Sequence, residues 1–259
     1  MVDIHSHVLW GLDDGAATSD DSLAMLRLAA QTGTTDIVAT PHANLEFPYR
    51  PGLIAERIQQ LQSAVGASLR IHRGCEFHLR LENIQSALAG HRDYTVNGGR
   101  YLIVELPEFF LSPPMDEVLR QLVARGVVPV VTHPERNPTL QDSPEILERW
   151  IGQGCLAQVT AQSITGELGR AAKDAAWSLL RRGFVHFVAS DAHDAVHRPP
   201  RLDLARQVLE REFGPEVAAL LFLHNPQAVI QDLPLDPGPF PLSPKKPAAF
   251  WRRFTRGAA

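Results

Sequence analysis

The stretch "DIHSHVLWGLDDG", residues 3–15, sets two histidines two positions apart behind a short apolar start and ends on Asp13, Asp14 and Gly15. Strand side chains repeat every two residues, so His5 and His7 share a face if the strand runs through Ser6. A buried strand can hold one such pair for purely structural reasons. The reading therefore turns on what stands at the ends of the other strands.

Strand-like apolar runs occupy residues 2–4, 36–40, 69–75, 101–106, 127–132, 156–160 and 184–189. Several are nearly continuous in apolar character, as in parallel strands covered on both faces. The segments between them read as helices. Ser19 can cap "DDSLAMLRLAAQTG", and "PGLIAERIQQLQSAVG" opens on Pro51 and closes on Gly66. "SPPMDEVLRQLVARG" and "TGELGRAAKDAAWSLLRRG" follow the same plan. Seven strand-then-helix units argue for a closed α/β barrel, with a doubly wound sheet as the alternative, since local periodicity does not report closure. In a barrel the chemistry lies at the C-terminal ends of the strands.

Those ends carry the polar residues. The second run ends in "ATPH" with His42, the third in "RGCEF" with Glu76, and the fourth in "IVELP" with Glu105. The fifth ends in "VTHPERN" with His133 and Arg136, and the seventh in "SDAHDAVHR" with Asp191, His193, His197 and Arg198. Scattered core histidines would not follow such a rule, whereas ligands converging on one barrel mouth must. The mixture of imidazole and carboxylate suits Mn, Zn or Fe(II) better than a thiolate site or an all-oxygen calcium site. The set also exceeds what one tetrahedral ion needs. A hydrolytic centre of two or three divalent metal ions is expected.

Composition narrows the setting. The chain has 259 residues and a formal net charge of −4, with 44% hydrophobic and 21% charged residues, an ordinary balance for a globular protein and not that of a nucleic-acid binder. No apolar run approaches a membrane span, and the start lacks the pattern of a signal peptide. The two cysteines, Cys75 and Cys155, read as buried free thiols, which points to a cytoplasmic protein. After residue 233 the texture changes. Residues 1–233 read as the catalytic domain, and residues 234–259, "PLDPGPFPLSPKKPAAFWRRFTRGAA", as a proline-rich and then basic-aromatic tail able to make weak peripheral membrane contact.

Taken in order, "DIHSHVLWGLDDGA", "DIVATPH", "RGCEF", "VELP", "VTHPERN" and "SDAHDAVHR" resemble the polymerase and histidinol phosphatase (PHP) superfamily, and within it the bacterial manganese-dependent protein-tyrosine phosphatases of capsule and exopolysaccharide systems. The late "HNP" of His224, Asn225 and Pro226 also fits. The resemblance implies a distorted seven-stranded (β/α) barrel with a trinuclear site. His5, His7, Glu76 and Asp191 would surround one metal. Glu76 would bridge to a second, held with Glu105 and His133. Asp14, His42 and His193 would hold a third, with Asp13 competing for the place of Asp14. Manganese leads, with Zn or Fe(II) as alternatives. Arg136 and Arg198 become phosphate clamps, and Asp191, His193 or His197 can assist proton transfer.

The expected reaction is hydrolysis of phosphotyrosine in protein, with a membrane-associated tyrosine kinase of polysaccharide synthesis or export as the partner. The protein would then work in the cytoplasm and transiently at the inner face of the membrane. Two alternatives stand beside it: a phosphoesterase for histidinol phosphate or another small phosphomonoester, and a non-catalytic regulator of a membrane tyrosine kinase. Cysteine catalysis is disfavoured because Cys75 and Arg80 are one residue short of the Cys-x5-Arg spacing and lack a glycine-rich cradle.

Overall fold

The computed structural model describes residues 1–79, 84–89, 91–107 and 114–235. Nine strands appear among these residues: β1 (Val2–Ser6), β2 (Asp36–Ala39), β3 (His42–Ala43), β4 (Arg70–Arg73), β5 (Glu76–His78), β6 (Tyr101–Glu105), β7 (Val128–Thr132), β8 (Leu156–Thr160) and β9 (Phe187–Ala189). All pairings are parallel. They form a three-stranded sheet β1-β2-β4 and a six-stranded sheet β3-β5-β6-β7-β8-β9.

The two sheets are one barrel with a step in it. The expected second and third strands are each broken, into β2 and β3 and into β4 and β5. Pro41 interrupts the second because it has no N–H to donate to a ladder. The third breaks beside it at Gly74–Cys75, where Gly74 N donates to Ala39 O at 3.0 Å and Glu76 N to Pro41 O at 3.1 Å. A Cβ on Gly74 would lie 2.8 Å from Val38 Cγ1, so glycine is needed for this approach. The uniform run expected over residues 69–75 is thus corrected: the break re-aims the chain so that Glu76 enters the mouth. Closure comes from the other side. Ser6 of β1 bridges Ala192 just past β9, His7 N donates to Ala192 O at 2.8 Å, and Asp191 N donates to His5 O at 2.9 Å.

Helices cover the outside. The first, Ser19–Gln31, is capped by Thr18 and not by Ser19. Thr18 is extended, its hydroxyl accepts from Asp21 N at 3.2 Å, and Asp21 Oδ2 accepts from Thr18 N at 2.9 Å, a reciprocal capping box. The helix Pro51–Val65 starts on its proline as expected. The last expected helix is shorter, Arg170–Arg182, because Gly166 and Gly169 hold left-handed backbone ahead of it. Inside the barrel floor, Ile4, Val38, Ile103, Val130, Leu156 and Phe187 pack together. Larger clusters join the strands to the helices.

Beyond β4 no strand follows at this level of the barrel among the described residues. Its outward N–H groups are taken by side chains instead: Ile71 N donates to Gln62 Oε1 at 2.9 Å and Arg73 N to Asn97 Oδ1 at 3.3 Å. Nearly all of the basic-aromatic tail, from residue 236 onward, lies outside the described residues. No helix among the described residues is long and apolar enough to cross a membrane.

Two measurements check this account. Phe187→Ala, which empties a fully buried position in the barrel floor, is expected to cost about 3–5 kcal/mol in a urea titration. Asp36 accepts from Arg70 Nε at 2.6 Å and Nη2 at 2.9 Å and contacts His72 Nε2 at 3.0 Å. Burial pushes its carboxyl up, but Arg70 and His72 outweigh that and bring it to about 2, from an ordinary 3.8. A carboxylate depressed on folding stabilises above its unfolded pKa and loses that contribution as pH falls through the folded one. The stability gap between the wild type and Asp36→Asn should therefore be full near neutrality, narrow below about pH 4 and close near pH 2.

Candidate metal centre

Glu76 is the hub. Its break in the strand carries it into the mouth, where it is 1% exposed. Oε1 stands 3.3 Å from His5 Nε2 and 3.0 Å from His133 Nε2, and accepts from the Thr132 hydroxyl at 3.0 Å. Oε2 stands 3.3 Å from His7 Nε2 and 3.2 Å from His42 Nδ1. Burial alone would push this carboxyl up, but the surrounding imidazoles, His5 first, hold it well below the usual range. Glu105, at the end of β6, goes the other way: burial and the neighbouring Glu76 charge raise it.

Three overlapping donor groups result. His5, His7, Glu76 and Asp191 form one, His7, Asp14, His42 and His193 a second, and His42, Glu76 and Glu105 a third; within each group the donor atoms lie within 4.8 Å of one another. The chain therefore carries clusters able to bind two or three divalent ions. The grouping differs in detail from the expected one. His42 joins the Glu76–Glu105 pair, with its Nδ1 3.6 Å from Glu105 Oε2, while His133 enters through Glu76. His7 belongs to two groups.

The donor set fits a cation on its own terms. His5 Nε2 and His7 Nε2 face each other at 3.3 Å, and the buried His42 Nδ1, 3.2 Å from Glu76 Oε2, makes no well-aligned hydrogen bond among the described residues. Nitrogen lone pairs converging on carboxylates in a buried site are the arrangement that a mid-series divalent metal satisfies.

The two aspartates that compete in "LDDG" separate cleanly. Asp14 Oδ1 lies 3.3 Å from His42 Nε2 and 3.4 Å from His193 Nε2, inside a donor group. Those two histidines hold its carboxyl far below the ordinary range. Asp13 turns behind the site: its Oδ2 contacts His7 Nδ1 at 2.7 Å and accepts from His42 N at 3.0 Å. Burial opposes charge on His7, yet Asp13 raises its pKa well above the ordinary value. Asp13 thus orients one histidine's ring and another's backbone. Gln158 does the same for His5, with Oε1 2.9 Å from Nδ1. Sequence reasoning passed over Gln158 and Thr132, although a glutamine in the middle of "LAQVT" was the available signal.

Arg136 and Arg198 converge from different loops on one oxygen. Arg136 Nη1 reaches Asp191 Oδ2 at 2.6 Å and Arg198 Nη2 reaches it at 2.5 Å. His133 and Asp191 hold left-handed backbone, φ 34° and 51°, at their turns. Burial and His7 lower the pKa of His193 and favour its neutral form. His197 is 88% exposed in its side chain and belongs to no donor group. The residues close on a cleft of about 110 Å³ whose lining side chains, among the described residues, are all titratable or charged. Cys75 lies outside it, buried in the outer core with Sγ 3.3 Å from Tyr94 O, and burial pushes its thiol well above the ordinary value.

With this geometry established, comparison with known proteins assigns the chain. The family model for capsular polysaccharide synthesis, CpsB/CapC, matches residues 1–231. The chain belongs to the CpsB/CapC family. It is 33% identical over 225 residues to the tyrosine-protein phosphatase YwqE of Bacillus subtilis, covering 85% of this chain and 88% of that one. It is 29% identical over 243 residues to the tyrosine-protein phosphatase CpsB of Streptococcus pneumoniae, covering 90% and 99%. A solved structure from work on YwqE and CpsB, described as metal-dependent tyrosine phosphatases, superposes with a TM-score of 0.85 at 31% identity, over 95% of this chain and 100% of that one. The stepped barrel is therefore the PHP-type barrel that the sequence resemblance implied.

This CpsB/CapC member has a glycine whose place the site cannot spare. A Cβ on Gly15 would sit 2.2 Å from His7 O and 2.5 Å from His7 Cβ. Gly15→Ala must shift His7 and the Asp13–Asp14 turn, and metal analysis of the purified variant is expected to show fewer ions per chain than the wild type.

Proposed function

We propose that the chain is a metal-dependent protein-tyrosine phosphatase that hydrolyses phosphotyrosine in a membrane-associated tyrosine kinase of polysaccharide synthesis or export. The observation that carries this reading is the meeting of three donor groups with two guanidiniums on a small cleft lined, among the described residues, by polar side chains. Family membership and the names of the relatives support the substrate class.

His5, His7, Glu76 and Asp191 would hold one ion, and Asp14, His42 and His193 another. Glu76 would be shared with a third position completed by Glu105, with His133 and His42 at its flanks. Manganese is the proposed metal, with Zn or Fe(II) as substitutes that the same donors accept. Such ions, when bound, lower the pKa of water and offset charge on the phosphoryl group. The chain's own residues do the rest. Arg136 and Arg198 grip two phosphoryl oxygens in forked hydrogen bonds. Asp191 holds both guanidiniums beside the cleft before substrate arrives. We assign assistance in proton transfer to His193 and Asp191 beside the cleft; the Nδ1 of His193 lies 3.0 Å from the Asp191 carbonyl oxygen, which fixes the ring. A phenolate leaves more readily than an alkoxide, so the demand on a proton donor is modest. No cysteine nucleophile is needed, and Cys75 is too deeply buried to serve as one.

We place this activity in the cytoplasm, where the free thiols Cys75 and Cys155 suit a reducing compartment. The basic-aromatic tail would supply transient contact with the kinase or the membrane face.

Metal-free protein restored separately with Mn, Zn, Fe(II) and Mg, then assayed on a phosphotyrosine peptide and a panel of small phosphates, is the deciding experiment. Turnover of the peptide above the panel is expected with Mn. Preference for histidinol phosphate would replace the proposal, and no turnover under any metal would end it. His42→Ala and Asp191→Asn should each lose metal and nearly all turnover, while Cys75→Ser should keep most of it.

A further inference from the structure

The cleft accounts for a phosphate and leaves the rest of the substrate unhoused. Among the described residues, every side chain lining its volume of about 110 Å³ is titratable or charged. An aromatic ring pushed inside would strip water from those groups and offer no hydrogen bond in return. The ring of an aryl phosphate must therefore lie at the rim.

Two rim loops offer it apolar surface. One follows β3 and carries Leu45, three residues after His42; the other follows β9 and carries Val196, two residues before Arg198. Apolar side chains exposed singly are ordinary on any surface. These two are the most exposed of the large apolar side chains among the described residues, at 76% each, and each lies within three residues in sequence of a group that lines the cleft. The two loops start from the same part of the mouth: the rings of His42 and His193, three residues before Leu45 and Val196 respectively, lie 6.3 Å apart.

Both side chains are presented on fixed turns. Asn44 Oδ1 accepts from Glu46 N at 2.9 Å and Phe47 N at 2.8 Å, and Tyr49 donates to Asp93 O at 2.6 Å. Asp194 accepts from Val196 N at 2.6 Å and His197 N at 2.5 Å. Phe47 adds a flat face: its half-buried ring stacks on His42 at 5.9 Å with 17° between planes. Trp10, on the loop between the two, is already covered by Arg57, 4.0 Å above its ring.

We propose that Leu45, Phe47 and Val196 form the subsite for the aryl ring of the phosphate ester and set a preference for phenyl over alkyl phosphates. This rests on the phosphatase reading above and adds the residues that select the ring.

Phenylphosphonate and methylphosphonate, tested as competitive inhibitors of the manganese-loaded full chain, report ring binding without any leaving-group chemistry. The wild type is expected to bind the phenyl compound roughly 10-fold more tightly, the scale of one aromatic contact. In the double variant Leu45→Ser, Val196→Ser that ratio should fall toward one because phenylphosphonate binding weakens. Phe47→Leu, which keeps bulk against His42 but removes the flat face, should lose part of the ratio at unchanged metal content. An unaltered ratio in both variants, or parallel weakening of both inhibitors, overturns the subsite while active wild-type protein leaves the phosphatase reading standing. Wild-type protein that turns over no phosphate ester overturns both.

Discussion

A single carboxylate removed from water organises this molecule. Glu76 is buried among His5, His7, His42 and His133, and a buried charge persists only where opposite charge or strong hydrogen bonds surround it. Those histidines come from three separate parts of the chain, so the requirement reaches through β1, β3, β5 and the end of β7. The step in the barrel is its structural counterpart. With this step, Cys75 turns to the outer core and Glu76 to the mouth.

The orienting residues follow from the same requirement. An imidazole that faces a carboxylate or a cation with one nitrogen needs a partner on the other, or its tautomer and ring angle are undefined. Asp13 meets that need for His7 and Gln158 for His5. Asp3 works one level lower. Its Oδ1 accepts from Ser190 N and lies 3.4 Å from His5 N, where the register of β1 shifts between Asp3 and Ser6. That irregularity lets Ile4 pack into the floor while His5, directly after it, still reaches the mouth.

Much of this could be read before any coordinates. Placing His42, Glu76, Glu105, His133 and Asp191 at the ends of successive apolar runs needs only the periodicity of strands and the rule that barrel chemistry gathers at one end. What was not legible depends on contacts distant in sequence. Closure rests on the pairing of Ser6 with Ala192, which no local pattern encodes. The breaks in the second and third strands arise because Pro41 and Gly74 lie side by side, although neither alone announces a step. Asp13 and Asp14 are adjacent and chemically identical, and only the turn closed by Gly15 sends one to His7 and the other to His42 and His193. The cap of the first helix shifted from Ser19 to Thr18 because Asp21 completes a box with the latter.

The step also leaves the lower half of the barrel with a seam beside β4, and the chain closes it without a strand. Gln62 and Asn97 present amide oxygens to the two N–H groups that a neighbouring strand would otherwise take. An unsheltered edge of this kind is a template on which another polypeptide can add itself. Two side-chain amides thus act as a stop: they consume the hydrogen-bonding capacity that would recruit a foreign strand, so the distortion that builds the metal centre does not also make the protein prone to edge-to-edge association.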